Sequence, residues 1–299
     1  ILTMGALAQS EALAAGRLTA VALMEATLDR IEAVNGDVNA IVSQRGTTEL
    51  LDDAYAADKA PRRGWLHGIP MAIKDLSDAA GLETSMGSPI FAGTVARKDS
   101  VFVGRLRAAG AIFIGKTNTP EFGLGSHTFN PVHGVTRNHY DLRRSAGGSS
   151  GGAAAALASG MLSLADGSDM MGSLRNPAGW NNVYGMRPSW GSVPSEPEGD
   201  MFLHQLATAG PMATSPRDLA ALLDTMTGAD PRQPLGRSPA PTLPQLDGQG
   251  PGLKIGWLGD WGGAFAYADG IAALSTGALD SFADLGHMVT EIAPPFDAE

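Results

Sequence analysis

The sequence predicts an α/β protein, and three stretches carry that prediction. Residues 69–73 form a compact apolar run bounded by glycine and closed by the charged pair Lys74 and Asp75, the pattern of a buried strand. Residues 99–110 read as a helix with Val101, Val103 and Leu106 turned inward, and lead directly into a second apolar run at 111–114. Residues 253–258, 271–285 and 287–292 read as strand, helix and strand, a βαβ unit that implies a parallel sheet continuing past Glu299.

The remaining elements follow in order. Residues 2–34 read as two helices. In the second, Thr19 caps the start, and Val21, Met24, Leu28 and Ile31 recur on one face, with Asn35 and Gly36 as the stop. Residues 39–42 are a short strand and 48–57 a third helix. Lys74 at its strand end is either a snorkelling surface residue or a desolvated lysine acting as a base. Residues 110–117, GAIFIGKT, match the phosphate-loop pattern. That pattern is rejected, because Ala-Ile-Phe-Ile belongs in a strand and Pro120 stops a helix from starting after Thr117. Residues 123–144 are a polar loop holding His127, His133 and His139. Their spacing of six fits neither a helix face nor a strand face, which favours loop or core histidines over a metal site. Residues 184–189 read as a strand ending at Pro188. Ser215, Pro216 and Asp218 open a helix through Met226 that ends at Gly228. Residues 229–252, rich in Pro and Gly, read as a surface linker.

Composition narrows the function. The 299 residues are 43% hydrophobic and 17% charged, enough for a substantial core. A net charge of −10 argues against nucleic acid or an anionic membrane as partner. No run of 18 apolar residues is present to span a bilayer. The absence of cysteine removes disulfides, a thiol nucleophile and thiolate metal sites.

The chemistry concentrates in residues 145–177, where two glycine-framed serine sites, Ser149-Ser150 and Ser173, flank a run of small residues. Glycines around a serine expose its hydroxyl and aim backbone N–H groups at a developing charge. Gly147 to Gly151 satisfies the GxSxG nucleophile elbow of α/β-hydrolases, which makes Ser149 the nucleophile, with an Asp and then His204 or His287 further along. The elbow needs an apolar strand before the serine, and residues 141–146, DLRRSA, are not one. In the other assignment Ser173 is the nucleophile and the backbone from Met170 through Met171 and Gly172 to Ser173 supplies an oxyanion hole. Lys74 is then the base, with Ser149 or Ser150 relaying the proton.

At this point the sequence resembles the amidase signature family over essentially its whole length. Residues 68–75 (GIPMAIKD), 110–122 (GAIFIGKTNTPEF), 137–141 (RNHYD), 146–160 (AGGSSGGAAAALASG) and 165–178 (ADGSDMMGSLRNPA) match that family's blocks in order. The resemblance implies a Ser–cis-Ser–Lys triad: Ser173 as nucleophile, Ser149 as relay on a cis peptide to Ser150, and Lys74 as base and later acid. It implies an acyl-enzyme on Ser173, no metal and no cofactor. It also implies a single α/β/α domain on a large, mixed, twisted sheet flanked by helices, spanning 1–299 and lacking its C-terminal portion. Asp169 is expected to bond the oxyanion loop, Arg175 to sit in a buried ion pair, Ser150 to give structural support, and Gly123 and Gly125 to line the acyl site.

The sequence departs from the family at Met171, where DxGGS usually has glycine, and at Ala146, where proline is frequent. The leading expectation is an amidase that hydrolyses a small-molecule amide. Three alternatives stand beside it: the glutaminase subunit of a tRNA-dependent amidotransferase, a catalytically impaired binding protein, and the α/β-hydrolase with Ser149 as nucleophile. A homodimer and a cytoplasmic location complete the expectations, with a targeting segment ahead of Ile1 left open because the chain starts inside a helix.

Overall fold

A computed structural model describes residues 1–248, 250 and 252–297. Its chain divides into two units, Ile1–Leu246 and Asp247–Glu299.

The first unit opens with α1 (Ala6–Ala14) and α2 (Ala20–Val38). The Thr19 hydroxyl accepts from Ala22 N–H at 3.1 Å, as a helix cap does. Asn35 and Gly36 do not end α2. The Asn35 amide accepts from Ala40 and Ile41 N–H (2.8 and 2.9 Å) and donates to Ile41 carbonyl (2.8 Å), so it organises the exit from within the helix. The left-handed turn comes at Asn39. Next come β1 (Ile41–Val42), α3 (Thr47–Lys59), β2 (Pro70–Lys74), α4 (Val101–Ala108) and β3 (Ile112–Thr117). Strands β2 and β3 are parallel, with β1 antiparallel on the far edge of β3. Lys116 and Thr117 thus belong to a strand, and no phosphate loop forms.

A small hairpin, β4 (Phe129–Asn130) and β5 (Gly134–Val135), precedes α5 (Gly151–Ala158), β6 (Leu164–Asp169), α6 (Arg175–Trp180), β7 (Tyr184–Gly185), β8 (Thr208–Ala213) and α7 (Pro216–Met226). Strand β8 pairs antiparallel with both β6 and β7. The strand expected at 184–189 shrinks to two residues: Tyr184 and Gly185 pair with Ala213 and Met212, and Pro188 has no N–H to carry the ladder further. Lys74 N–H donates to Asp166 Oδ1 at 3.0 Å, which joins the edge of β2 to β6.

Alternation along the strands builds the layers. Ile112, Ile114 and Ala72 face one apolar cluster with Met24, Leu28, Leu50 and the alanines of α5. Phe113, Met71 and Ile73 face another with Phe102, Leu106, Leu222 and Met226. A strand with helices on both faces must be apolar at every position, which explains the unbroken runs in the sequence. Helices α2, α3 and α5 cover one face, and α4 and α7 the other.

At the start of α7 the Ser215 hydroxyl accepts from Asp218 N–H at 3.1 Å. The buried Asp218 carboxylate also accepts from Leu7 N–H at 2.8 Å, at the start of α1.

In the second unit, β9 (Lys254–Trp257), α8 (Ile271–Asp284) and β10 (Met288–Glu291) form a βαβ unit with parallel strands. Before it, the expected linker at 229–252 holds one short 3-10 turn, Leu243–Gln245. Its residues 249 and 251 lie outside the described residues. Among the described residues, no helix is long and apolar enough to cross a membrane.

Candidate active site

Strand β2 delivers Lys74 at its last position with no exposed surface. The two-residue period puts Lys74 on the same side as Ala72, the face covered by α5. There its Nζ donates to Ser149 Oγ (2.7 Å), Ser150 Oγ (2.9 Å) and Ser168 Oγ (2.9 Å). Burial pulls the Lys74 ammonium down to about 7, against the opposing charges of Asp166 and Asp169.

Ser149 and Ser150 sit just ahead of α5, which packs tightly on the end of β3. Gly152 N–H donates to the Asn118 carbonyl at 3.2 Å, and a Cβ on Gly152 would collide with the Asn118 backbone. The cis peptide precedes Ser149, between Gly148 and Ser149. It does not follow Ser149, as expected from the resemblance. Cis geometry brings successive Cα atoms to about 2.9 Å, and Gly148 has no side chain to crowd that approach. A Cβ there would meet His127 N at 2.9 Å and Gly125 O at 3.0 Å.

The second serine loop follows β6. Ser150 N–H donates to the Ser173 carbonyl at 3.2 Å, which holds the two loops together. A cavity of about 280 Å³ brings together Ser173, Met170, Met171, Gly148, Gly123 and Gly125. A larger cavity, about 800 Å³, lies in the second unit and includes none of the expected site residues.

Asp169 shapes this loop from beneath. Its buried carboxylate accepts from Gly172 N–H (2.7 Å), Leu174 N–H (3.1 Å), Arg175 Nε (3.0 Å) and Arg187 Nη1 (3.2 Å). Burial pushes the Asp169 carboxyl up, but the bonds from Arg175, Gly172 and Leu174 outweigh it and hold the group well below the usual carboxylate range.

Two expectations change as a result. Gly172 has one backbone proton and spends it on Asp169, so it is not free to hold an oxyanion. Among the described residues, no acceptor takes the N–H of Met171 or Ser173. The ion pair of Arg175 is buried only on its acid side: the guanidinium is 55% exposed, because α6 begins at the surface.

Several neighbours went unforeseen. Ser168 completes the lysine's hydroxyl shell. Asp166 is fully buried, and burial pushes its carboxyl up to about 6 against the Lys74 N–H and the charges of Lys116 and Lys74. Arg187 donates to the Met170 carbonyl (2.9 Å) and the Leu206 carbonyl (2.6 Å) besides Asp169. The sequence held one signal for the first two, the polar letters of Asp166 and Ser168 inside an otherwise small-residue stretch.

Other candidates disperse. His127 bonds Ser145 Oγ at 2.9 Å, His133 bonds Ser85 Oγ at 3.0 Å and His139 lies against Tyr140. Among the described residues no histidine bonds Ser149, and irregular chain, not a strand, leads into it, as the nucleophile elbow would not allow.

The Amidase family model matches residues 22–298. An acylamidase of Rhodococcus erythropolis is 37% identical over 286 residues, covering 94% of this chain and 60% of that protein. A glutamyl-tRNA(Gln) amidotransferase subunit of Chromohalobacter salexigens is 37% identical over 294 residues, covering 95% and 59%. The crystal structure of a bacterial aryl acylamidase of the amidase signature family superposes with a TM-score of 0.89 at 30% identity, over 97% of this chain and 61% of that one. The chain spans about 60% of the length of the curated relatives it matches. With the family's sequence blocks, its fold and a lysine buried among serines at the end of β2, the chain belongs to the amidase family.

Proposed function

We propose that the protein hydrolyses a carboxylic amide to the acid and ammonia or an amine through an acyl-enzyme on Ser173. One observation carries this reading: a fully buried lysine, drawn down to about 7, whose Nζ lies 2.7 Å from Ser149 Oγ behind the cavity that holds Ser173. A neutral Lys74 takes the Ser149 proton as Ser149 takes that of Ser173, and Ser173 Oγ bonds to the carbonyl carbon. The carbonyl oxygen gains charge opposite the unbonded N–H groups of Met171 and Ser173. Lys74 returns the proton through Ser149 to the leaving nitrogen, and the C–N bond breaks. Water then attacks the ester, giving up its proton by the same route, and Ser173 is restored.

The second reading, a glutaminase subunit, draws on the similarity to the amidotransferase protein of Chromohalobacter salexigens. It is disfavoured because none of the side chains lining the Ser173 cavity carries a charge to hold an amino acid. A homodimer and a cytoplasmic setting go with the main proposal, and light scattering tests the first. A serine-reactive fluorophosphonate probe tests the chemistry. Labelling is expected in wild type and lost in Ser173→Ala; label that survives Ser173→Ala and vanishes in Ser149→Ala returns the nucleophile to the first loop.

A further inference from the structure

The cavity beside Ser173 has an apolar wall, and none of the side chains that line it is charged. Met171 is 81% exposed, Leu124 74% and Met170 45%, and all three line this cavity. Cations outside the lining have partners of their own. Arg175 and Arg187 bond Asp169, and Arg187 also spends protons on the Met170 and Leu206 carbonyls. Lys74 is occupied by three serine hydroxyls.

The backbone under this wall is fixed while its side chains stay adaptable. Arg187 grips the Met170 carbonyl and Asp169 grips Gly172 N–H, one on each side of Met171. Methionine's unbranched thioether conforms to irregular apolar shapes. Large apolar side chains left open to water gain free energy when an apolar ligand covers them. Because Met171 belongs to the turn ending at Ser173, anything it touches lies beside the reacting carbonyl.

We propose that Met171, with Met170 and Leu124, is a specificity-determining clamp that selects uncharged amides with an apolar acyl chain and rejects acyl chains ending in a carboxylate. This rests on the amide-hydrolase reading and adds the substrate class. An alkyl or aryl acyl group covers the wall. A carboxylate would be desolvated against thioethers and a leucine with no charged side chain in the cavity lining to meet it.

The test compares kcat/KM for acetamide, hexanamide and adipamate (the monoamide of adipic acid), the last matching hexanamide in chain length but ending in a carboxylate. Wild type is expected to prefer hexanamide over both. Met171→Gly should cut the hexanamide-to-acetamide ratio about tenfold, the scale on which a pocket discriminates small apolar increments. Met171→Leu should preserve the ratio, and Met171→Lys should shift preference from hexanamide toward adipamate by about tenfold or more. Fluorophosphonate labelling of Ser173 in each variant separates changed preference from lost fold. Equal or better use of adipamate by wild type, or an unmoved ratio in labelled Met171→Gly, overturns the clamp alone. A wild type that neither labels nor turns over any of the three amides overturns the hydrolase reading and the clamp with it.

Discussion

Two lysines lie on neighbouring parallel strands, and both are fully buried: Lys74 on β2 and Lys116 on β3. Burial lowers the pKa of each, against carboxylates that pull the other way, Asp166 and Asp169 for Lys74, and Asp75, Asp166 and Asp78 for Lys116. Their hydrogen-bond partners differ. Lys74 meets three serine hydroxyls, each able to give a proton as well as accept one. Lys116 donates to the Ser77 carbonyl at 2.5 Å and to Thr84 Oγ1 at 3.1 Å. The carbonyl has no proton to give, and the Thr84 hydroxyl, which has one, is buried and is not among the residues lining the Ser173 cavity. Desolvation is therefore shared by both lysines; a base also needs a partner that can hand it a proton, and a route from that partner to substrate. In the proposed mechanism Lys74 has both through Ser149, whereas Lys116 ties the 77–84 segment to β3.

The largest effect that tests this contrast is on turnover. Lys74→Ala is expected to lower kcat by about a hundredfold to ten-thousandfold, the range that positioned proton transfer supplies, while Lys116→Met stays within the same order as wild type. Equal losses in steady-state assays would erase the distinction. Next in size is the pH profile. Lys74 must be neutral to accept a proton, so activity should fall roughly tenfold per unit below about 7 and level off above it. Lys116→Met should keep that limb, and residual Lys74→Ala activity should lack it.

The smallest effect is on stability. Removing the Lys116 ammonium strands the part-buried Ser77 carbonyl and the buried Thr84 hydroxyl, at a cost of about 1–3 kcal/mol in urea unfolding. Lys74 leaves its own mark there. The folded chain gives up that proton at about 7, and the unfolded chain holds it to near the ordinary 10.5. The unfolded state binds more protons in that window, so wild-type stability should climb with pH across it and Lys74→Met should climb less.

Much of this arrangement was legible in the sequence. The apolar run into Lys74, the glycines around Ser149 and the cap at Ser215 are local patterns with local causes, and each stands where it was expected. What the chain hides depends on distant partners. Strand β8, TAGPMA, has few of the branched or aromatic residues that mark strands, and exists because β6 and β7 pair with it from both sides. Asn35 and Gly36 look like a helix stop until β1 arrives to use the asparagine amide. Gly172 looked like an oxyanion donor because the sequence cannot say which acceptor reaches its N–H first. Arg187 gave no sign that it would cross to Asp169 and Met170.

Asp218 shows how far one side chain can extend a local cap. Its carboxylate accepts from the Ser215 hydroxyl at 2.9 Å, at the start of its own helix α7, and, 211 residues away in sequence, from an orphan N–H at the start of α1. A Cβ at Gly5 would collide with the same carboxylate, so the approach depends on glycine there. The two helix starts therefore share a single anchor. Opening of the first turn of α7 is expected to raise hydrogen exchange at Leu7, whose N–H would lose its acceptor.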